Sequence, residues 1–285
     1  MKNEDKILLE LEEMYPIINE NQELLNASTL VKKFFVLPQT AKKIADKYNF
    51  KILLLKLIQL RPIINGEQTF LSAQVVRSTF VGISDDMAQM LANAYNSKII
   101  LLKLKEMSPI MDNGNQILMN PKDVEETFNI HKELAEMATN EYNYEIKLSR
   151  LKSAYPINKD VEFDISTSTI SKELNVSMDE ANKLSDDYKF EEKLYQLKEM
   201  FPIINGSQTF ISVITIINTF PNISKKTALR LADEYNSEII LKNIQELNWD
   251  VNSLGTAKIE ELFNVPTRIA LKVKEKGSAG ISFGR

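Results

Sequence analysis

One histidine, His131, is the entire imidazole complement of this 285-residue chain, and the chain has no cysteine. Mechanisms that need a histidine pair, a thiolate nucleophile, a disulfide or a Cys/His metal site are therefore excluded. Carboxylates occur as adjacent pairs at Asp85–Asp86, Asp186–Asp187 and Glu191–Glu192, the residue type that acid–base or metal chemistry would use. None of these pairs has a partner base or the ligand spacing of a cation loop. The phosphate-binding patterns GxxxxGK[ST] and GxGxxG are missing, and so is the nucleophile motif GxSxG. The expectation is a non-enzymatic chain with no catalytic residue, no metal and no cofactor. His131 itself falls where a helix should start, which gives it a capping role.

Two other groups of residues have types suited to binding. The first is the tetrapeptide pattern NGxQ, at Asn65–Gln68, Asn113–Gln116 and Asn205–Gln208, with "NENQ" at Asn19–Gln22. Asn-Gly supplies a turn with positive φ. The glutamine has no such need, so Asn65, Gln68, Asn113, Gln116, Asn205 and Gln208 are candidate partner-binding residues along one polar edge. The second group is basic. From Val265 onward Arg268, Lys272, Lys274, Lys276 and Arg285 face a single acid, Glu275, in a chain whose formal net charge is -4. With Lys225, Lys226 and Arg230 they are candidate nucleic-acid contacts, through phosphate neutralisation. The glycine-containing tail at 277–285 reads as flexible.

The elements that must position these residues come from repetition. "PIINGEQTF" at Pro62 returns as "PIINGSQTF" at Pro202, and 22 of the 42 positions in residues 61–102 are identical in residues 201–242. A proline recurs at Pro16, Pro62, Pro109, Pro156 and Pro202, and a tyrosine at Tyr48, Tyr95, Tyr142, Tyr188 and Tyr235, each at a step of 46 or 47. The reading is six units at 1–50, 51–97, 98–144, 145–190, 191–237 and 238–276, made by doubling a set of three. A unit of this size cannot bury an adequate core alone, so the expected fold is all-α, an α-solenoid-like array of tri-helical repeats.

Each unit should begin with an amphipathic helix stopped by the proline. After a loop, a second helix should start at Ser72, Asn120, Ser166 or Ser212, and a third at Pro38, Ser84, His131, Ser177, Ser224 or Pro266. "SMDE" at Ser177–Glu180 has the form of a capping box. Small residues at Ala41, Ala88, Ala135, Ala181, Ala228 and Ala270 mark close helix approach. The third helix should run into the next unit's first, either as one long helix or with a kink near Asn96, Asn143 and Asn236. In "ISKELNVSMDEANKL" the spacing of Ile170, Ser171, Leu174, Asn175, Val176, Ser177, Ala181 and Leu184 resembles the helix-turn-helix pattern of DNA-binding domains. "IEELFNVPTRIALKV" and "VEETFNIHKELAEM" have the same spacing. The units are also similar to the helical tail of ImmA/IrrE-type proteins, whose HExxH metal motif is absent here.

Composition sets the remaining expectations. Apolar residues make up 44% and charged residues 26%, the balance of a folded chain, and the near-neutral charge gives no general pull toward nucleic acid or membrane. The opening "MKNEDKILLELEEMYP" lacks the apolar core of a secretory leader, and no apolar run is long enough to span a bilayer. The chain is expected in the cytoplasm, and its Lys-, Ile- and Asn-rich usage points to a bacterium. The function read from the sequence is macromolecule binding, most directly of a protein, in a regulatory or scaffolding role. The alternative is a DNA-binding regulator that uses units 1, 5 or 6.

Overall fold

The computed structural model describes residues 4–15, 22–63, 68–111, 115–157, 165–221, 223–251 and 253–280. Among them the chain is all-α, 72% helical with no strand. The helices are α1 (Glu4–Met14), α2 (Ala27–Phe34), α3 (Pro38–Leu60), α4 (Ala73–Thr79), α5 (Asp85–Met107), α6 (Pro121–Phe128), α7 (Lys132–Ala154), α8 (Thr167–Leu174), α9 (Met178–Met200), α10 (Val213–Thr219), α11 (Lys225–Glu246), α12 (Thr256–Phe263) and α13 (Thr267–Gly280). A short helix of 7 or 8 residues alternates with a long one of 22 or 23, from α2 through α11. The long helices pass Asn96, Asn143 and Asn236 without interruption, so of the two expectations there the single helix holds.

Their ends are written in the sequence. Arg61, Tyr155 and Phe201 each precede a proline and leave helical geometry at ψ 75 to 79, because the proline ring disfavours the α region for the residue before it. Where no proline follows, at α11, Asn248 takes φ 53 and Trp249 N–H donates back to Ile244 O at 3.0 Å, a Schellman-type stop. The short helices α6, α8 and α12 end the same way on Asn129, Asn175 and Asn264, each near φ 50, where asparagine tolerates left-handed backbone.

The capping columns behave as expected with one correction. Ser72, Asn120, Ser166 and Ser212 cap the short helices, and Asn26 joins them. Ser84, Ser177 and Ser224 cap long ones, and His131 does so through Nδ1, which accepts from Leu134 N–H at 3.3 Å. Pro38, however, is the first residue inside α3; the cap position belongs to Leu37, which makes no side-chain cap. At Ser177 only half of a capping box forms, since the Glu180 carboxylate accepts from Lys147 at 2.7 Å.

Two compact units divide the chain, one of residues 1–95 with 205–285 and one of residues 96–204. In the first, Ile7, Leu11, Leu30, Ile44, Tyr48 and Ile52 pack α1 and α2 on α3, and Ile240, Ile244, Ile259, Ile269 and Val273 join α11, α12 and α13. In the second, one cluster centres on Val124 and Tyr142 and another on Ile170 and Leu184. All six of the repeated alanines are fully buried, which accounts for their size: a larger side chain would hold the crossing helices apart. Among the described residues no helix is long and apolar enough to cross a membrane.

Candidate binding surfaces

The recurring tyrosine, followed by asparagine everywhere but at Tyr188, where Lys189 follows, braces the chain at Pro16, Pro109 and Pro156. The hydroxyls of Tyr48, Tyr142 and Tyr188 donate to the carbonyls of Tyr15, Ser108 and Tyr155, at 2.7, 2.6 and 3.0 Å. Those carbonyls belong to the residues just before Pro16, Pro109 and Pro156. The neighbouring asparagine holds the loop's far end. Asn49 accepts from Leu25 N–H and donates to Leu25 O, at 2.7 and 2.9 Å. Asn143 does the same to Met119 and Asn236 to Ile211, between 2.8 and 3.0 Å. The buried tyrosines are poor acids: burial, with Glu12 nearby, pushes Tyr48 up to about 12, and burial raises Tyr95, Tyr188 and Tyr235.

Gln22 and Gln208 belong to the same brace and Gln116 ties its own loop, which corrects for Gln116 and Gln208 the expectation of no structural need. Gln208 donates to Tyr235 Oη at 3.0 Å, and Gln22 donates to Tyr48 Oη. Gln116 is buried and folds back on its own loop, accepting from Met111 N–H at 2.9 Å and donating to Pro109 O. Gln68 is half-buried. Asn205 is exposed, its carboxamide oxygen accepting from Ser207 N–H at 3.2 Å, while Asn65 and Asn113 lie outside the described residues. What reaches solvent in these loops is therefore not a row of glutamine amides.

Gly206 also has a reason other than the one expected. Its φ is not positive; instead, a Cβ there would lie 2.1 Å from Asn243 Cα and 2.3 Å from Asn243 N. The loop lies flat on α11, with Asn243 donating to Gly206 O at 2.8 Å and Gly206 N–H donating to Glu246 at 3.1 Å. Glycine is present because two backbones touch.

The basic residues near the C-terminus point inward. Arg268 donates to Asp233 at 2.6 Å, Lys272 to Glu234 at 2.6 Å, and Lys276 to Glu234 and Glu238, both at 2.6 Å. Arg268, Lys272 and Lys276 recur every four residues on α13 and meet the acidic stripe of α11. Lys274 is buried and donates to Val251 O at 2.9 Å. None of these four presents itself to a phosphate, contrary to the sequence expectation, and the helix continues to Gly280 where a flexible tail was expected from residue 277. Gly277 is pressed against the Val251 side chain. Burial raises the Asp233 carboxyl, with Arg268 opposing, while Glu234 is raised by burial but held below its usual value by Lys272 and Lys276.

Of the other cations, Lys226 reaches across to α1. Glu12, almost wholly buried, accepts from Lys226 on α11 and from Lys51 on α3. Burial pushes the Glu12 carboxyl up, and the two lysines more than reverse it. This triad ties the N-terminal helix to α11 within the first unit. Lys225 and Arg230 occupy exposed positions on α11.

Two of the turns expose large apolar side chains. Phe35, between α2 and α3, holds φ 52 with its side chain 92% exposed. Val81, in the turn between α4 and α5, is 96% exposed. Asparagine fills the left-handed position after α6, α8 and α12. Phe35 stands six residues before Ala41, as Asn129, Asn175 and Asn264 stand six before Ala135, Ala181 and Ala270. The chain matches no family model, no curated protein and no solved structure.

Proposed function

We propose that this is a non-enzymatic α-helical repeat protein, of six related units, that binds another protein in a regulatory or scaffolding role in the bacterial cytoplasm. The observation that carries the reading is the exposure of two large apolar side chains in interhelical turns, Phe35 at 92% and Val81 at 96%. Tyr48, Tyr142, Tyr188, Asn49, Asn143, Asn236, Gln116, Gln208, Gly206 and the six alanines are accounted for by folding. Phe35 and Val81 are not, and an aromatic or branched side chain held in solvent gains free energy only when something covers it. The DNA-binding alternative retains, of its named cations, the exposed Lys225 and Arg230.

The test is capture on immobilised full-length chain with and without nuclease, followed by calorimetry with the purified captured protein. Binding that survives nuclease and is reproduced with the pure partner supports the proposal. Capture that disappears with nuclease, or that no purified protein reproduces, overturns it.

A further inference from the structure

We propose that the α2–α3 corner is a docking site for an acidic protein segment carrying apolar side chains, an inference that rests on the protein-binding reading above. Two turn positions, Phe35 and Leu37, depart there from what folding favours. Phe35 sits in left-handed backbone where Asn129, Asn175 and Asn264 sit after α6, α8 and α12, and where the α4–α5 turn has Gly82. For a bulky side chain that geometry is an outlier, and outliers of this kind are retained where function uses them. Leu37 then occupies the cap position of α3, 65% exposed and with no side-chain cap, where Ser84, His131, Ser177 and Ser224 each accept a backbone N–H. Replacing a capping side chain by an aliphatic one costs about 1 kcal/mol. The corner thus forgoes stability twice in three residues and exposes two apolar groups.

The charge around the corner selects the partner. From Ala27 to Tyr48 there are five lysines, Lys32, Lys33, Lys42, Lys43 and Lys47, and one acid, Asp46, in a chain of net charge -4. All five lysines are exposed. Lys33 contacts Tyr15 and Lys43 lies 3.7 Å from Glu4. Lys32 and Lys42 make no ion pair among the described residues. Exposed lysines beside exposed Phe and Leu complement a segment that alternates carboxylates with apolar side chains. Nucleic acid is the less suited ligand, because Leu37 offers nothing to a phosphate and no arginine supplies a bidentate fork.

The experiment selects peptides from a displayed random library on the full-length chain and compares Phe35→Asn, Leu37→Ser and Lys32→Glu/Lys42→Glu with wild type. Short duplex DNA is the second probe, read by fluorescence anisotropy. The expected result is enrichment of acidic, apolar-containing peptides whose affinity falls about tenfold or more in each variant. At the same time the melting temperature of Phe35→Asn and Leu37→Ser should hold or rise, because Asn accepts left-handed backbone and Ser restores a cap. A melting temperature that falls in both variants overturns the proposal by showing that the two side chains are structural. Peptides that bind but ignore all three variants overturn this site and leave the protein-binding reading standing. Duplex DNA binding lost in Lys32→Glu/Lys42→Glu reassigns the corner to nucleic acid. A selection that enriches nothing sinks both readings.

Discussion

Replacing Gly206 with alanine tests whether this glycine is present for backbone packing or for turn geometry. The added Cβ would lie 2.1 Å from Asn243 Cα and 2.4 Å from Asn243 Cβ, where ordinary contact begins at 3.4 Å. The loop must retreat by about 1.3 Å to relieve the overlap, and helix α11 presents backbone, which cannot turn aside. A shift of that size breaks the 2.8 Å bond from Asn243 to Gly206 O and the 3.1 Å bond from Gly206 N–H to Glu246. Overpacking costs roughly 1–3 kcal/mol and each of the two lost hydrogen bonds about 1 kcal/mol, so the expected loss is ~3–5 kcal/mol. In a chain of this length that lowers the melting temperature by about 8–15 °C, readable by circular dichroism at 222 nm, a standard helix signal. The control is Gly82→Ala, where φ is +90 but nothing lies within 4 Å of the new Cβ, so only backbone strain of roughly 1–2 kcal/mol applies. Gly206→Asn separates the two accounts. A turn that needed positive φ would accept asparagine, whereas a backbone contact rejects it at least as firmly as alanine. If Gly206→Asn melts close to wild type, or Gly206→Ala loses less than Gly82→Ala, the packing argument is wrong.

Three further outcomes follow from the same geometry. Asn236→Ala removes both bonds to the Ile211 backbone and should cost roughly 1–3 kcal/mol in chemical denaturation, with faster amide exchange at Ile211; unchanged exchange there would refute the brace. Arg268→Met leaves the Asp233 carboxylate buried without its cation and should cost about 2–4 kcal/mol, most of it recovered in Arg268→Met/Asp233→Leu; a double variant no better than the single would refute a burial penalty as the cause. Glu12 and Glu234 both titrate below the carboxylate value of 4.5, so their stabilisation is complete above pH 4.5 and is lost as pH falls through the lower folded values. Glu12→Gln should therefore flatten the acid limb of a stability–pH curve, and an acid limb identical to wild type would show that Lys51 and Lys226 do not hold that carboxylate.

How much of this was legible in the sequence depends on whether a residue acts on its own stretch of chain or on a distant one. Helix ends were legible because they are local: a serine three residues or an asparagine two residues ahead of an amide, a proline that bars helix from the residue before it, an asparagine that tolerates left-handed backbone. The six buried alanines were legible for a related reason, since a small residue recurring in one register can only mean close approach. Apart from the local slips at Pro38 and Gln116, the misreadings involve partners far along the chain. Asn49, Asn143 and Asn236 recur as plainly as the alanines, yet recurrence alone does not distinguish a kink from a side chain that grips a loop 24 or 25 residues away. Gly206 was assigned to a turn because Asn-Gly usually makes one, while its reason lies 37 residues on, at Asn243. The C-terminal lysines look free only when counted by themselves. Beside them in composition, and 35 to 38 residues earlier, Asp233, Glu234 and Glu238 form the acidic stripe that absorbs them. That match of two opposite stripes at helical spacing was present in the sequence, and searching for charge complementarity between helices predicted to be neighbours would have found it. Phe35 is the opposite case. Its apolar character suits a helix end, and only the structure shows its ring 92% exposed in left-handed backbone. A residue unexplained by folding therefore becomes identifiable only after the folding roles of its neighbours have been assigned.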